Sequence, residues 1–165
     1  MITIRPLLQE DLPTRVEWMN RPEVYQKMHF RVPVTLASTF CWYEKVRNNS
    51  RRVDFSFEDS HQRLVAMGGL TSINSVERPS AELYVFINPD AFHQGYGMKA
   101  TTLLCQYGFN NLRLSMISLY TNENNKWAKT VYESLGFKLK DRFSENGVIR
   151  LYYELLCGEF RSLCV

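Results

Sequence analysis

The stretch Ile87–Cys105, INPDAFHQGYGMKATTLLC, decides how this chain is read. An apolar run stops at Asn88-Pro89-Asp90, Gly95 and Gly97 then stand one residue apart, and an amphipathic pattern follows. Such a strand-to-helix junction exposes unpaired N–H groups and the positive end of a helix dipole, about half a unit charge. Glycines there let the backbone approach a phosphate that a Cβ would exclude. Main-chain N–H groups from Gly95 to Met98 could therefore hold a pyrophosphate; the same glycines could equally do no more than shape a tight turn.

Upstream of the junction, ITIRPL (2–7) reads as a short strand ended by Pro6. QEDLPTRVEWMN (9–20) reads as a helix with Asp11 as N-cap, Pro13 in its first turn, and Leu12, Val16 and Met19 as its buried stripe. Arg21-Pro22 breaks it, a second helical piece covers 23–29, and a third spans 35–49, capped by Thr35 with Phe40, Tyr43 and Val46 or Arg47 on one side. From Arg52 the period changes to two. RVDFSFE (52–58), RLVAMGGLTSI (63–73) and SAELYVFI (80–87), joined by turn-rich links, predict an antiparallel meander. Gly68-Gly69 within the second of these strands marks a bulge or tight packing in preference to a ligand site.

Downstream, a helix (96–110), a strand (113–121), a helix (124–136) and a strand (137–143) follow. Asn146-Gly147 then joins that last strand to VIRLYYELL (148–156), a strong hairpin signal. The prediction is one α+β domain over residues 1–165, with a mixed, mostly antiparallel sheet and no linker or repeat.

At 165 residues the chain can bury a core of its own. Its apolar content of 45% and aromatic content of 13% describe a globular protein. A net charge of +3 with scattered basic residues, apart from Arg47, Arg51 and Arg52, argues against a nucleic-acid surface. No signal peptide opens the chain and no segment reaches the apolar length of a membrane span, so a cytoplasmic protein without a membrane partner is expected. Cys41, Cys105, Cys157 and Cys164 include no CxxC pair and read as reduced core thiols. His29, His61 and His93 lack ligand partners at helical spacing, so no metal is expected.

Two nucleotide motifs compete for the glycines. Gly95 to Ala100 formally fits the dinucleotide fingerprint G-x-G-x-x-A, with Glu123 downstream, but helices and antiparallel strands precede it and too little chain follows for a doubly wound sheet. The P-loop pattern is absent. The second half separates the readings: NKWAKTVYESLGF carries Asn125, Tyr132, and the helix-ending Gly136 and Phe137. Together with INPDAFHQGYG upstream, this pair resembles the GNAT N-acetyltransferase superfamily in element order over residues 2–156.

That resemblance implies a GNAT-like sheet flanked by helices on both faces and a chain that moves an acetyl group from acetyl-CoA to an amine. It implies that Phe92, His93, Gln94, Gly95, Tyr96, Gly97 and Met98 form the pyrophosphate loop, with Phe92 where Gln or Arg is usual. It also implies that the pantetheine arm pairs with the strand at Phe86 and Ile87, and that Asn125 hydrogen-bonds it; the alternative for Asn125 is a helix N-cap.

A protonated amine cannot attack a thioester, so a base or a water path must take its proton. Glu82 stands where many family members place a catalytic glutamate, and alternation puts Glu82, Tyr84 and Phe86 on one face. Among apolar neighbours such a carboxyl could have a raised pKa; otherwise Glu82 is a structural ion-pair partner. Tyr132 matches the tyrosine that points at the departing sulfur. The acceptor is expected to be a small amine. WMNRPEVYQKM (18–28) and TFCWYEKV (39–46) resemble the branch of ribosomal-protein N-terminal and nucleotide-aminosugar N-acetyltransferases, and Trp18 to Asn20 with Met28 look more like the aminosugar enzymes of the pseudaminic-acid type, which usually have Arg where Met19 stands. A nucleotide-linked amino sugar is the slightly favoured acceptor, a protein N-terminus or a non-catalytic acyl-CoA-binding module the alternatives, and a monomer or homodimer the expected state. Trp18, Trp42 and Tyr43 line the acceptor or belong to the core.

Overall fold

The computed structural model describes residues 1–162. Seven strands, β1 (Ile2–Pro6), β2 (Val53–Asp59), β3 (Leu64–Asn74), β4 (Ser80–Ile87), β5 (Met116–Asn122), β6 (Lys138–Glu145) and β7 (Val148–Leu156), form one sheet in the order β1-β2-β3-β4-β5-β7-β6. Only β4 and β5 pair in parallel; α4 (Tyr96–Asn110) connects them. β2, β3 and β4 form the expected meander, and Asn146 (φ 51°) with Gly147 (φ 79°) makes the tight turn between β6 and β7.

Strand alternation divides the core between the two faces of the sheet. Ala66, Leu83, Leu104, Ile117, Val131 and Leu135 belong to the larger cluster, to which α4 and α5 (Lys126–Leu135) contribute. Met67 and Phe86 point the other way and meet Leu12, Trp18 and Val24 from α1 (Leu12–Met19) and α2 (Pro22–Met28). Phe40, Trp42 and Tyr43 of α3 (Leu36–Val46) cover that second cluster. This is the α+β architecture expected, with helices on both faces.

Several local expectations change. Asp11 precedes α1, but its carboxylate makes no cap. It accepts instead from Arg5 (2.7 and 2.8 Å), Ser56 Oγ (2.7 Å) and the Leu8 N–H (2.9 Å), because a buried carboxylate beside a guanidinium gains more there than at a helix end. The buried stripe of α1 is Leu12, Arg15 and Trp18, while Val16 and Met19 are half-buried. Gly68 and Gly69 keep regular register with β2 and β4 instead of forming a bulge. A Cβ at Gly68 would stand 2.6 Å from the Tyr84 carbonyl oxygen, so close backbone approach explains the glycine. Of the thiols, Cys105 is buried, whereas Cys41 and Cys157 are exposed; Cys164 lies outside the described residues. Thr35 does cap α3, its hydroxyl accepting from the Ser38 N–H at 3.1 Å.

Candidate active site

The parallel ladder between β4 and β5 has three rungs, Ser80–Met116, Ala81–Ile117 and Glu82–Ser118. Past Glu82 the strands run on to Ile87 and Asn122 without pairing each other, while β4 stays paired with β3 as far as Ile87. Backbone groups of Leu83–Ile87 on the β5 side are thus left for an extended ligand, as in strand addition.

The opening leads to the start of α4. Gly95 precedes that helix with φ 77°, a left-handed conformation in which a side chain is strained, and a Cβ there would enter open space. Lys99 N–H is the first to bond back, reaching Gly95 O at 3.2 Å, so Tyr96, Gly97 and Met98 hold the three orphan N–H groups of the first turn. Bare backbone, free donors and the helix dipole converge here, which fits a pyrophosphate. Lys27 lies 4.6 Å above the Phe92 ring, and His93 meets Trp127 edge-on at 6.0 Å.

Two cavities adjoin. The first, about 140 Å³, is lined by Phe86, Ile87, Phe92, His93, Gly95, Tyr96, Gly97 and Asn125 among others. The second, about 260 Å³, contains Glu82, Tyr84, Arg15, Arg52 and Arg150. Lys27, Met28, Val85, Tyr120 and Tyr132 line both, so Tyr132 stands at their boundary. Gln94 and Met98 line neither: Gln94 is exposed, and Met98 packs toward the core.

Burial raises the Glu82 carboxyl pKa above its ordinary 4.5, and Arg150 pulls the other way. Glu82 joins none of the ion pairs among the described residues, so the structural-partner alternative does not describe it. Burial, then the neighbouring Cys105, lifts the Tyr132 hydroxyl pKa well above its ordinary value. The ring is held by Phe137 at 5.7 Å and Tyr153 at 6.3 Å. Asn125 Oδ1 accepts from the Ala128 N–H at 3.4 Å, the geometry of a helix cap, while the residue also lines the first cavity. Trp18 lies in the second core cluster, and Trp42 stacks on two guanidinium groups, Arg15 at 4.5 Å and Arg52 at 5.0 Å.

Lys27, Trp127, Arg15, Arg52 and Arg150 also line the two cavities, and none of them is among the site residues expected from the sequence. Arg15 carried a signal, since it falls three residues after Leu12 and three before Trp18, on the buried stripe. The others are brought in from separate elements and left no local pattern. Among the described residues, no group of three or more His, Cys, Asp or Glu could hold a metal, and no helix is long and apolar enough to cross a membrane.

A family model described as an acetyltransferase (GNAT) domain matches residues 1–138. Spermidine N(1)-acetyltransferase of Escherichia coli (strain K12) is 27% identical over 153 residues, covering 90% of this chain and 81% of the relative. The crystal structure of spermidine N-acetyltransferase from Vibrio cholerae with CoA and spermine superposes with a TM-score of 0.89 at 23% identity over 96% of each chain. A dodecameric structure of the Vibrio cholerae enzyme has a TM-score of 0.79 at 24% identity, over 94% of this chain and 93% of the other. None of these three is a ribosomal-protein or aminosugar acetyltransferase, so the branch expected from Trp18 to Asn20 gains no support.

Proposed function

The chain belongs to the acetyltransferase (GNAT) family, and from that premise we propose how its two cavities divide the transfer of an acetyl group from acetyl-CoA to an amine. The first cavity holds acetyl-CoA, with the N–H groups of Tyr96, Gly97 and Met98 on the pyrophosphate and the free edge of β4 near Phe86 and Ile87 along the pantetheine. The second holds a small primary amine beside Glu82. The observation that carries this reading is Tyr132, which lines both cavities where β4 and β5 part.

In this arrangement Glu82 takes the proton of the acceptor amine, directly or through water, before or during attack on the thioester carbon. Its raised pKa brings it closer to the working pH of a general base. Tyr132, protonated at neutral pH like any tyrosine, gives its proton to the departing sulfur, although burial weakens it as an acid. A thiol pKa near about 8.5 makes sulfur a tolerable leaving group, so the acid assists the step without being indispensable to it. Transfer is direct, within a ternary complex.

The relatives' names make a polyamine the first acceptor to test. Thiol release from acetyl-CoA, measured across a panel of primary amines that includes spermidine, tests the function: release that requires both an amine and Glu82 supports it. Acetyl-CoA binding without release in the presence of any amine would replace it with a binding module. For assembly, the dodecameric relative sets a larger oligomer against the expected monomer or homodimer, and light scattering decides.

A further inference from the structure

The acceptor cavity carries a charge pattern of its own. Four cationic side chains line it, Arg15, Lys27, Arg52 and Arg150, against one carboxylate, Glu82. Two of the cations have carboxylate partners outside the lining: Arg52 is bidentate on Asp54 (2.7 and 2.9 Å), and Arg150 Nη1 meets Glu145 at 2.7 Å. Arg15 joins none of the ion pairs among the described residues.

Arg15 is only 4% exposed, yet its Nη1 has no hydrogen-bond partner. Trp42 at 4.5 Å, Phe86 at 5.1 Å and Tyr84 at 5.8 Å give its charge the faces of three rings. Rings offset part of the charge, but they do not replace an oxygen acceptor for an N–H at the edge of the fork. Arg150 Nε is the other buried, unpartnered side-chain nitrogen among the described residues, and it belongs to the same cavity. Leaving such donors without a partner is costly, and a carboxylate or phosphate oxygen is the group that satisfies guanidinium best.

Building on the transfer reading above, we propose that the acceptor is an amine that also bears an anionic group, a carboxylate or a phosphate, held by Arg15 with Arg150 while its amine lies at Glu82. A polyamine suits this cavity less well, since Arg15, Lys27, Arg52 and Arg150 outnumber Glu82, the one carboxylate of the lining. Arg15 and Arg150 are then the residues that set specificity, and the single carboxylate is kept for the reacting amine.

The test compares spermidine and three acceptors of one chain length that differ only at the far end: 1,5-diaminopentane, 5-aminopentanoate and 5-aminopentyl phosphate. Thiol release from acetyl-CoA is measured with the full chain. The expected result is kcat/KM at least about tenfold higher for one or both anionic amines than for the diamine and spermidine. The two anionic arms distinguish a carboxylate from a phosphate. Arg15→Met should raise KM for the preferred anionic amine by about tenfold or more while kcat stays within about threefold. Arg15→Lys, which keeps the charge but loses the fork, keeps the protein testable if the methionine variant does not fold, and should weaken the preference less.

A preference for the diamine or spermidine, equal rates on all four, or an unchanged preference in both Arg15 variants overturns the proposal. If none of the four is acetylated, melting of the CoA-saturated protein decides. A rise with an anionic amine that Arg15→Lys reduces supports the anion site, and no rise overturns it. Failure of acetyl transfer itself shows as absent thiol release over the wider amine panel and is read separately from this preference.

Discussion

Glu82 and Ser118 form the last rung between β4 and β5, so the proposed base stands where the two strands part. A parallel pair that stops after three rungs leaves β4 with one edge paired and the other open. Glu82 is half-buried there, with a carboxyl pKa raised by burial.

Glu82→Gln should leave acetyl-CoA affinity intact and lower turnover, by about 10²-fold if a water relay partly replaces the base and by more if it does not. In the wild type, the rate should fall on the acid side with a midpoint above the ordinary carboxyl value of 4.5. Steady-state rates from pH 4 to 9 and calorimetry with acetyl-CoA check both. Wild-type turnover in the variant across that range would remove Glu82 from the mechanism.

The same substitution carries a stability signature. Because burial raises the folded-state pKa, the ionised carboxyl is disfavoured in the fold, and this cost is fully present above the folded pKa. It disappears below the unfolded value, near the ordinary 4.5. Glu82→Gln should therefore melt at or above the wild type at pH 7, with any gain shrinking as pH falls through the raised folded-state pKa and gone below the ordinary value.

Asp11 has the opposite sign. Burial works against its charge, but Arg5, the Leu8 N–H and Ser56 together hold its pKa below the ordinary 3.8. Its contribution to stability is present above that ordinary value and is lost as pH falls through the lowered one. Asp11→Asn should cost about 1–3 kcal/mol at neutral pH, and denaturant melts should show the difference narrowing in acid.

Gly95→Val should weaken acetyl-CoA binding at least about tenfold, or about 1.4 kcal/mol. The substitution fills the open space before α4 and places a β-branched residue at φ 77°. Melting separates lost affinity from lost fold, and unchanged affinity in a folded variant would sink the cradle.

Tyr132→Phe keeps the ring between Phe137 and Tyr153 and deletes only the hydroxyl. Acetyl-CoA affinity should stay within about threefold, and turnover should fall by about tenfold or more. The loss should lessen at high pH, where the departing thiolate needs no acid. Intact turnover on one identified amine would leave Tyr132 a core residue.

Local signals made the fold and the position of the candidate site legible. Hydrophobic periods of two and 3.6 residues, Thr35 as a cap, Asn146-Gly147 as a turn and Gly95 at a strand-to-helix junction depend on neighbours along the chain, so the sequence by itself determined the element order and the position of the glycine turn. It also put Glu82 and Phe86 on one face of β4, because alternation is local. What it could not determine was which polar group would win a shared partner. Asp11 had a helix end beside it in sequence, yet in space Arg5 and Ser56 claimed its carboxylate. The spacing of Arg15 from Leu12 and Trp18 put it on the buried stripe of α1, but only the packing of α1 against β4 and α3 set it among Trp42, Tyr84 and Phe86. Arg150, 135 positions along the chain, reaches the same cavity through β7, with a second unpartnered nitrogen. The charge of the acceptor cavity is a sum over separate elements, and only the tertiary structure performs that sum.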